Sequence, residues 1–72
     1  MKAIISTTNG VILEGTTDYI GSATMCISVP SITADKANRL YTIDATMRQY
    51  SDHWDVQISK KHIEDVKLFD EE

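Results

Sequence analysis

YTIDATMRQYSDHWDVQI, residues 41–58, is the stretch whose reading decides the fold class. Tyr41, Ile43, Ala45 and Met47 alternate with Thr42, Asp44, Thr46 and Arg48, and Trp54, Val56 and Ile58 alternate with Asp55 and Gln57. Side chains in a strand point to opposite faces at successive positions, so both runs predict half-buried strands joined as a hairpin, over residues 40–49 and 54–59. Sharing one buried face between Met47 and Val56 sets the register, because a slip of one residue sends every side chain to the other face. That register opposes Ala45 with Ile58, Gln49 with Trp54 and Thr46 with Gln57, and it opposes Arg48 with Asp55 on the outer face. Such an opposite-charge pair contributes roughly 0.2–1 kcal/mol, enough to help choose a register but not to carry a fold. The turn, Tyr50 to His53, holds no glycine. It therefore predicts a four-residue loop built on a type I turn, not a two-residue turn that needs positive φ. Trp54 and Tyr41 fall on the side assigned to the core.

Working outward toward the N-terminus, Asn9-Gly10 predicts a type I′ turn between strands at residues 2–7 and 11–15. Pairing Thr8 with Val11 puts Ile4, Val11 and Leu13 on one face and leaves Ala3, Ile5 and Ile12 on the other. Both faces are then apolar, as in strands covered on both sides. Ile5 and Ile12 are thus expected at an interface between chains, a curved or bulged strand being the plainer account of the same pattern. Gly15 to Ser22 predicts a loop in which Tyr19 is available for contact, as Tyr50 is in the hairpin turn. Residues 22–29 alternate cleanly, and Pro30, lacking an N–H, ends that strand. Ser31 to Asn38 predicts a loop in which Thr33 is placed to cap one short turn.

On the C-terminal side, Lys60-Lys61-His62 with Ile63 and Val66 three apart predicts a single 3₁₀ turn and then a last strand at 66–69. Asp70, Glu71 and Glu72 form an acidic end with nothing to bury, expected to be frayed. The strand, 3₁₀ turn and short strand across this last third resemble the closing section of SH3-like small barrels. The resemblance implies a fold and not a ligand. The paired tryptophan and the aromatic-rich acidic loop of peptide-binding SH3 domains have no counterpart here, so recognition of proline-rich peptides is not implied. The expected architecture is all-β: a small, partly open SH3-like barrel of five to six strands over residues 1–69, with 70–72 as a tail.

A 72-residue chain makes one domain at most, and it buries only about 60% of the surface exposed by its unfolded form. Its core is marginal, so help from a second subunit is in keeping with its size. Apolar residues at 42% and charged residues at 25% exclude a disordered low-complexity chain. No apolar run approaches a membrane span or a signal peptide, which predicts a cytoplasmic location. Cys26 is the one cysteine, which excludes an intramolecular disulfide framework.

Asp52, His53, Asp55 and His62 are the residues with metal-ligand chemistry, but their spacing fits no metal motif, and no metal or cofactor is expected. No nucleophile elbow, P-loop or dinucleotide fingerprint occurs, and an enzyme is not expected. Two readings follow. One is a non-enzymatic protein-interaction module, such as a small regulator or inhibitor that occupies a partner protein, with Ile5, Ile12, Tyr19 and Tyr50 as contacts. The alternative is a homo-oligomeric barrel binding nucleic acid or a nucleotide, with Arg48, Lys60 and Lys61 touching phosphate. Scattered cations on a chain of net charge −4 weigh against that alternative.

Overall fold

The first hairpin turns through three residues, one more than its Asn9-Gly10 pair predicts. The computed structural model describes residues 1–17 and 23–69. Within them β1 (Lys2–Thr7) and β2 (Ile12–Thr16) pair antiparallel, with Ile5 opposite Leu13 and Ser6 opposite Ile12. Gly10 N–H donates to Thr7 O at 3.2 Å, Thr7 N–H donates to Val11 O at 2.9 Å, and Gly10 has φ 89° while Asn9 has no positive φ. That is a type I turn followed by a glycine bulge. The extra loop residue shifts the register by one, so Ala3, Ile5, Val11 and Leu13 all face the core and Ile12 is turned out. The expected outward position of Ile5 is thereby corrected: it is fully buried inside its own chain.

The central hairpin keeps its expected register. β4 (Thr46–Gln49) and β5 (Trp54–Ser59) oppose Met47 with Val56, Arg48 with Asp55 and Gln49 with Trp54, across a four-residue loop in which Tyr50 N–H donates to His53 O. Its first arm is shorter than the alternation predicts. Residues expected to begin that strand belong to α1 (Ala34–Tyr41) and to the turn that ends it. Thr33 caps the helix, its hydroxyl accepting from Lys36 N–H, and Ala34, Ala37 and Leu40 recur at helical spacing, with Leu40 fully buried. Tyr41, expected in the core, is instead 63% exposed on the last turn.

How α1 ends explains the misleading alternation. Asp44 N–H donates to Tyr41 O and Ala45 N–H to Leu40 O, with Asp44 at φ 57°. These are the two bonds of a Schellman motif, and Ile43 and Ala45 fold back beneath it into the core. An aspartate occupies the left-handed position that glycine fills without steric cost. Asp44→Gly is therefore expected to raise stability by about 0.5–1 kcal/mol, read as a higher urea midpoint with an unchanged slope. A lower midpoint would mean that the Asp44 carboxylate more than offsets the backbone strain.

Among the described residues, β3 (Thr24–Val29), the strands above and β6 (Ile63–Phe69) form one antiparallel sheet in the order β4-β5-β3-β2-β1-β6. A 3₁₀ turn (Lys60–His62) leads from β5 into β6, as expected, but β6 begins three residues earlier than predicted. The chain is thus mostly β, with one two-turn helix among the described residues. The sheet is not closed into a barrel: β4 and β6 stand at its two ends and do not pair with each other. The seam between β2 and β3 is a single ladder pair, Thr16 with Ser28, and next to it Thr17 Oγ1 donates to Cys26 O at 2.6 Å. Met25, Ile27, Val29, Val56 and Ile58 join the first hairpin, Leu40, Ile43 and Ala45 in one core, with Trp54, Met47 and Ile63 packed partly buried against it.

Candidate functional site

The residues singled out in sequence do not converge. Ile5 lies in the core, while Ile12 is 56% exposed on β2 beside α1. Tyr19 lies outside the described residues, as does the acidic end at 70–72. Tyr50 is at the hairpin turn, its ring stacked on His53 at 4.7 Å and 8°, with the Arg48 guanidinium 5.3 Å from its centre. Arg48 opposes Asp55 at the start of β5, whereas Lys60 and Lys61 follow its far end, so the three candidate phosphate contacts do not form one patch.

At the hairpin turn a polar chain runs from β3 to the loop. Ser28 Oγ donates to Asp55 Oδ1 at 2.8 Å, His53 Nε2 is 3.4 Å from the same oxygen, and His53 Nδ1 is 2.6 Å from Asp52 Oδ1. A neutral imidazole carries one N–H and so donates to one of the two carboxylates at a time. The hydrogen bond and charge of His53 hold the Asp52 carboxyl below its ordinary value. A depressed folded pKa means that what the Asp52 carboxylate contributes is present above the ordinary carboxylate range and is lost as pH falls through the lowered value. The Ser28 hydroxyl is bonded to a carboxylate and not to the imidazole, so the chain is not ordered as a nucleophile, base and orienting acid. No three His, Cys, Asp or Glu side chains among the described residues are placed to hold a metal ion.

The feature that sequence reading missed is the outer edge of β6. Thr7 N–H donates to Val11 O and Thr8 N–H to His62 O, so even-numbered residues of β1 point their backbone groups at β6. Lys2, Ile4 and Ser6 oppose Phe69, Lys67 and Asp65. Asp65, Lys67 and Phe69 therefore spend their N–H and C=O on β1, and Val66 and Leu68 aim theirs outward from the end of the sheet, where no further strand of the described residues follows.

Val66, Leu68 and Phe69 set apolar side chains at that edge among the charged Glu64, Asp65 and Lys67. Val66 and Leu68 oppose Ile5 and Ala3 and so share the core-facing side of the sheet, yet Leu68 is 45% exposed, and Phe69 on the other side is 43% exposed. Beside them a cleft of about 430 Å³ opens, lined by Met25, Lys60, Ile63 and Glu64 together with Val66 and Leu68. Between Ser6 and Thr7 the register shifts, with Glu64 as the extra residue of a bulge, so Ile63 still turns inward at the start of the strand. Sequence carries a weak signal for this edge, Val66 and Leu68 alternating with Lys67 ahead of Phe69. The three-residue spacing of Ile63 and Val66 fits a 3₁₀ turn equally well, which is why sequence predicts the strand only from Val66. No helix among the described residues is long and apolar enough to cross a membrane. Compared with protein-family models, curated proteins and solved structures, the chain finds no match in any of the three.

Proposed function

We propose that this chain is a protein-interaction module that acts by binding and not by catalysis, and that its contact is the free edge of β6, to which an extended segment of another chain adds as a further strand. The observation that carries the reading is the combination at one edge of outward backbone donors and acceptors on Val66 and Leu68 with exposed apolar side chains on the same residues. Main-chain hydrogen bonds at such an edge supply affinity, and alternate side-chain positions supply selection. An edge of this kind left bare is an aggregation liability, which argues for an occupant. The strand, 3₁₀ turn and strand that resemble the end of SH3-like barrels are in keeping with a small binding domain. A regulator or inhibitor that occupies its target fits this mode. Nucleic-acid binding is less well supported, because the cations are dispersed and Asp52 and Asp55 sit beside Arg48 and Tyr50.

Val66→Pro tests the edge directly. Proline removes an outward N–H that β1 does not use, and it asks the preceding Asp65 for the extended backbone it already has. The variant is expected to keep the wild-type circular dichroism and to lose a protein captured from host lysate by the wild type, in nuclease-treated and untreated samples alike. Capture that survives Val66→Pro, or that depends on nucleic acid, rejects the reading.

A further inference from the structure

Resting on that reading of β6, we propose that the strand it accepts is the β6 of a second copy of this chain, running antiparallel about a two-fold axis through Val66. The sheet would then continue across two copies. Because directly opposed residues must share a face, the axis can pass only through a residue, and the charges choose which one. Centred on Val66, each Asp65 meets Lys67 of the second copy, and the pair occurs twice by symmetry. Centred one residue earlier, Asp65 meets Asp65; one residue later, Lys67 meets Lys67. Opposed like charges destabilise a strand pair by about as much as opposite charges stabilise it.

Backbone geometry agrees with that choice. Val66 and Leu68 have the outward N–H and C=O groups, so Val66 exchanges both hydrogen bonds with its own counterpart. Asp65 and Lys67 point their backbone groups at β1, which makes them non-hydrogen-bonded pairs across the new seam. Those are the pairs that bring Cα atoms closest, about 4.5 Å apart, and so set the carboxylate against the ammonium. On the core-facing side, the exposed surfaces of Val66 from the two copies meet on the axis.

A lysine in an edge strand ordinarily guards it against pairing. With Asp65 two residues away the guard becomes selective, rejecting strands of unlike pattern and accepting its own. A core as marginal as this one gains from the added partner.

Charge exchange across the axis tests the proposal. Lys67→Asp leaves two acidic residues to face two acidic residues, and Asp65→Lys does the reverse, while both positions are exposed in the single chain. Each variant alone is expected to fold and to self-associate roughly ten-fold more weakly than wild type, because both charge pairs change from attraction to repulsion. An equimolar mixture of the two variants restores both opposite-charge pairs and is expected to dimerise as wild type does, measured by sedimentation velocity. Wild-type association is also expected to weaken with added salt, since the pairs are solvent-exposed. Unchanged association of the single variants, or a mixture no tighter than its components, overturns the proposal. So does a wild-type chain that stays monomeric at the highest soluble concentration. In that case capture of a host protein that Val66→Pro abolishes keeps the strand-accepting edge and rejects only self-pairing, whereas loss of both results rejects both.

Discussion

Ile5→Asp is expected to leave the chain unfolded in buffer, whereas Ile12→Asp, seven positions on in the same hairpin, costs about 1 kcal/mol or less. Ile5 has no exposed surface and lies between Leu13 of β2 and Val66 of β6 in the ladder. Aspartate there loses the roughly 1.5–3 kcal/mol of a buried aliphatic side chain and adds a carboxylate with no partner, whose desolvation costs several more. Domains of ordinary size have about 5–15 kcal/mol to lose, and one this small sits at the low end. Ile12 projects from the opposite face and keeps its access to water in either form. Circular dichroism and urea unfolding of the two variants read the hairpin register directly. Two folded proteins with similar midpoints would mean that the three-residue loop is wrong and that the two-residue turn holds.

Gly15→Ala should destabilise by the upper end of the roughly 1–3 kcal/mol typical of overpacking, or by more. A Cβ on Gly15 would stand 1.9 Å from Ser28 O and 2.9 Å from Ser28 C. Both are backbone atoms, so no side chain can swing aside, and β2 and β3 must separate. They separate at the worst place, since Thr16 opposite Ser28 is the one ladder pair among the described residues that joins the two halves of the sheet. The glycine is needed here for close approach and not for its backbone angle. A drop in the urea midpoint accompanied by faster amide exchange at the seam is the expected result, and an unchanged midpoint would show that the strands do not meet there.

The central hairpin was legible in residues 46–59 because its information is local: alternation in each arm, an Arg48–Asp55 pair that prefers one register, and a turn without glycine. Strands β1 and β3, the end of β3 at Pro30 and the 3₁₀ turn were legible for the same reason. The register of the first hairpin was not. Ile4, Ile5, Ile12 and Leu13 are apolar on both faces, so no pattern within the hairpin distinguishes the two registers, and the choice falls to whichever set fills the common core.

Helix α1 was hidden for a related reason. Two turns are too short to be stable alone, and what holds them is remote in sequence: Leu40 in the core, and Asn9 of the first turn, whose side-chain amide donates to Arg39 O at 2.8 Å and to Thr42 Oγ1 at 3.1 Å. The alternation of Tyr41, Ile43 and Ala45 was real but belonged to a helix terminus folding back on itself. The exposed edge followed the same rule. Val66 and Leu68 are apolar and, in the structure, in phase with the buried Ile5 and Ala3. Whether a strand in phase with the core is covered depends on what lies beyond it, and that is decided by the sheet ending at β6 and not closing onto β4, a property of how whole strands are ordered and not of any one of them.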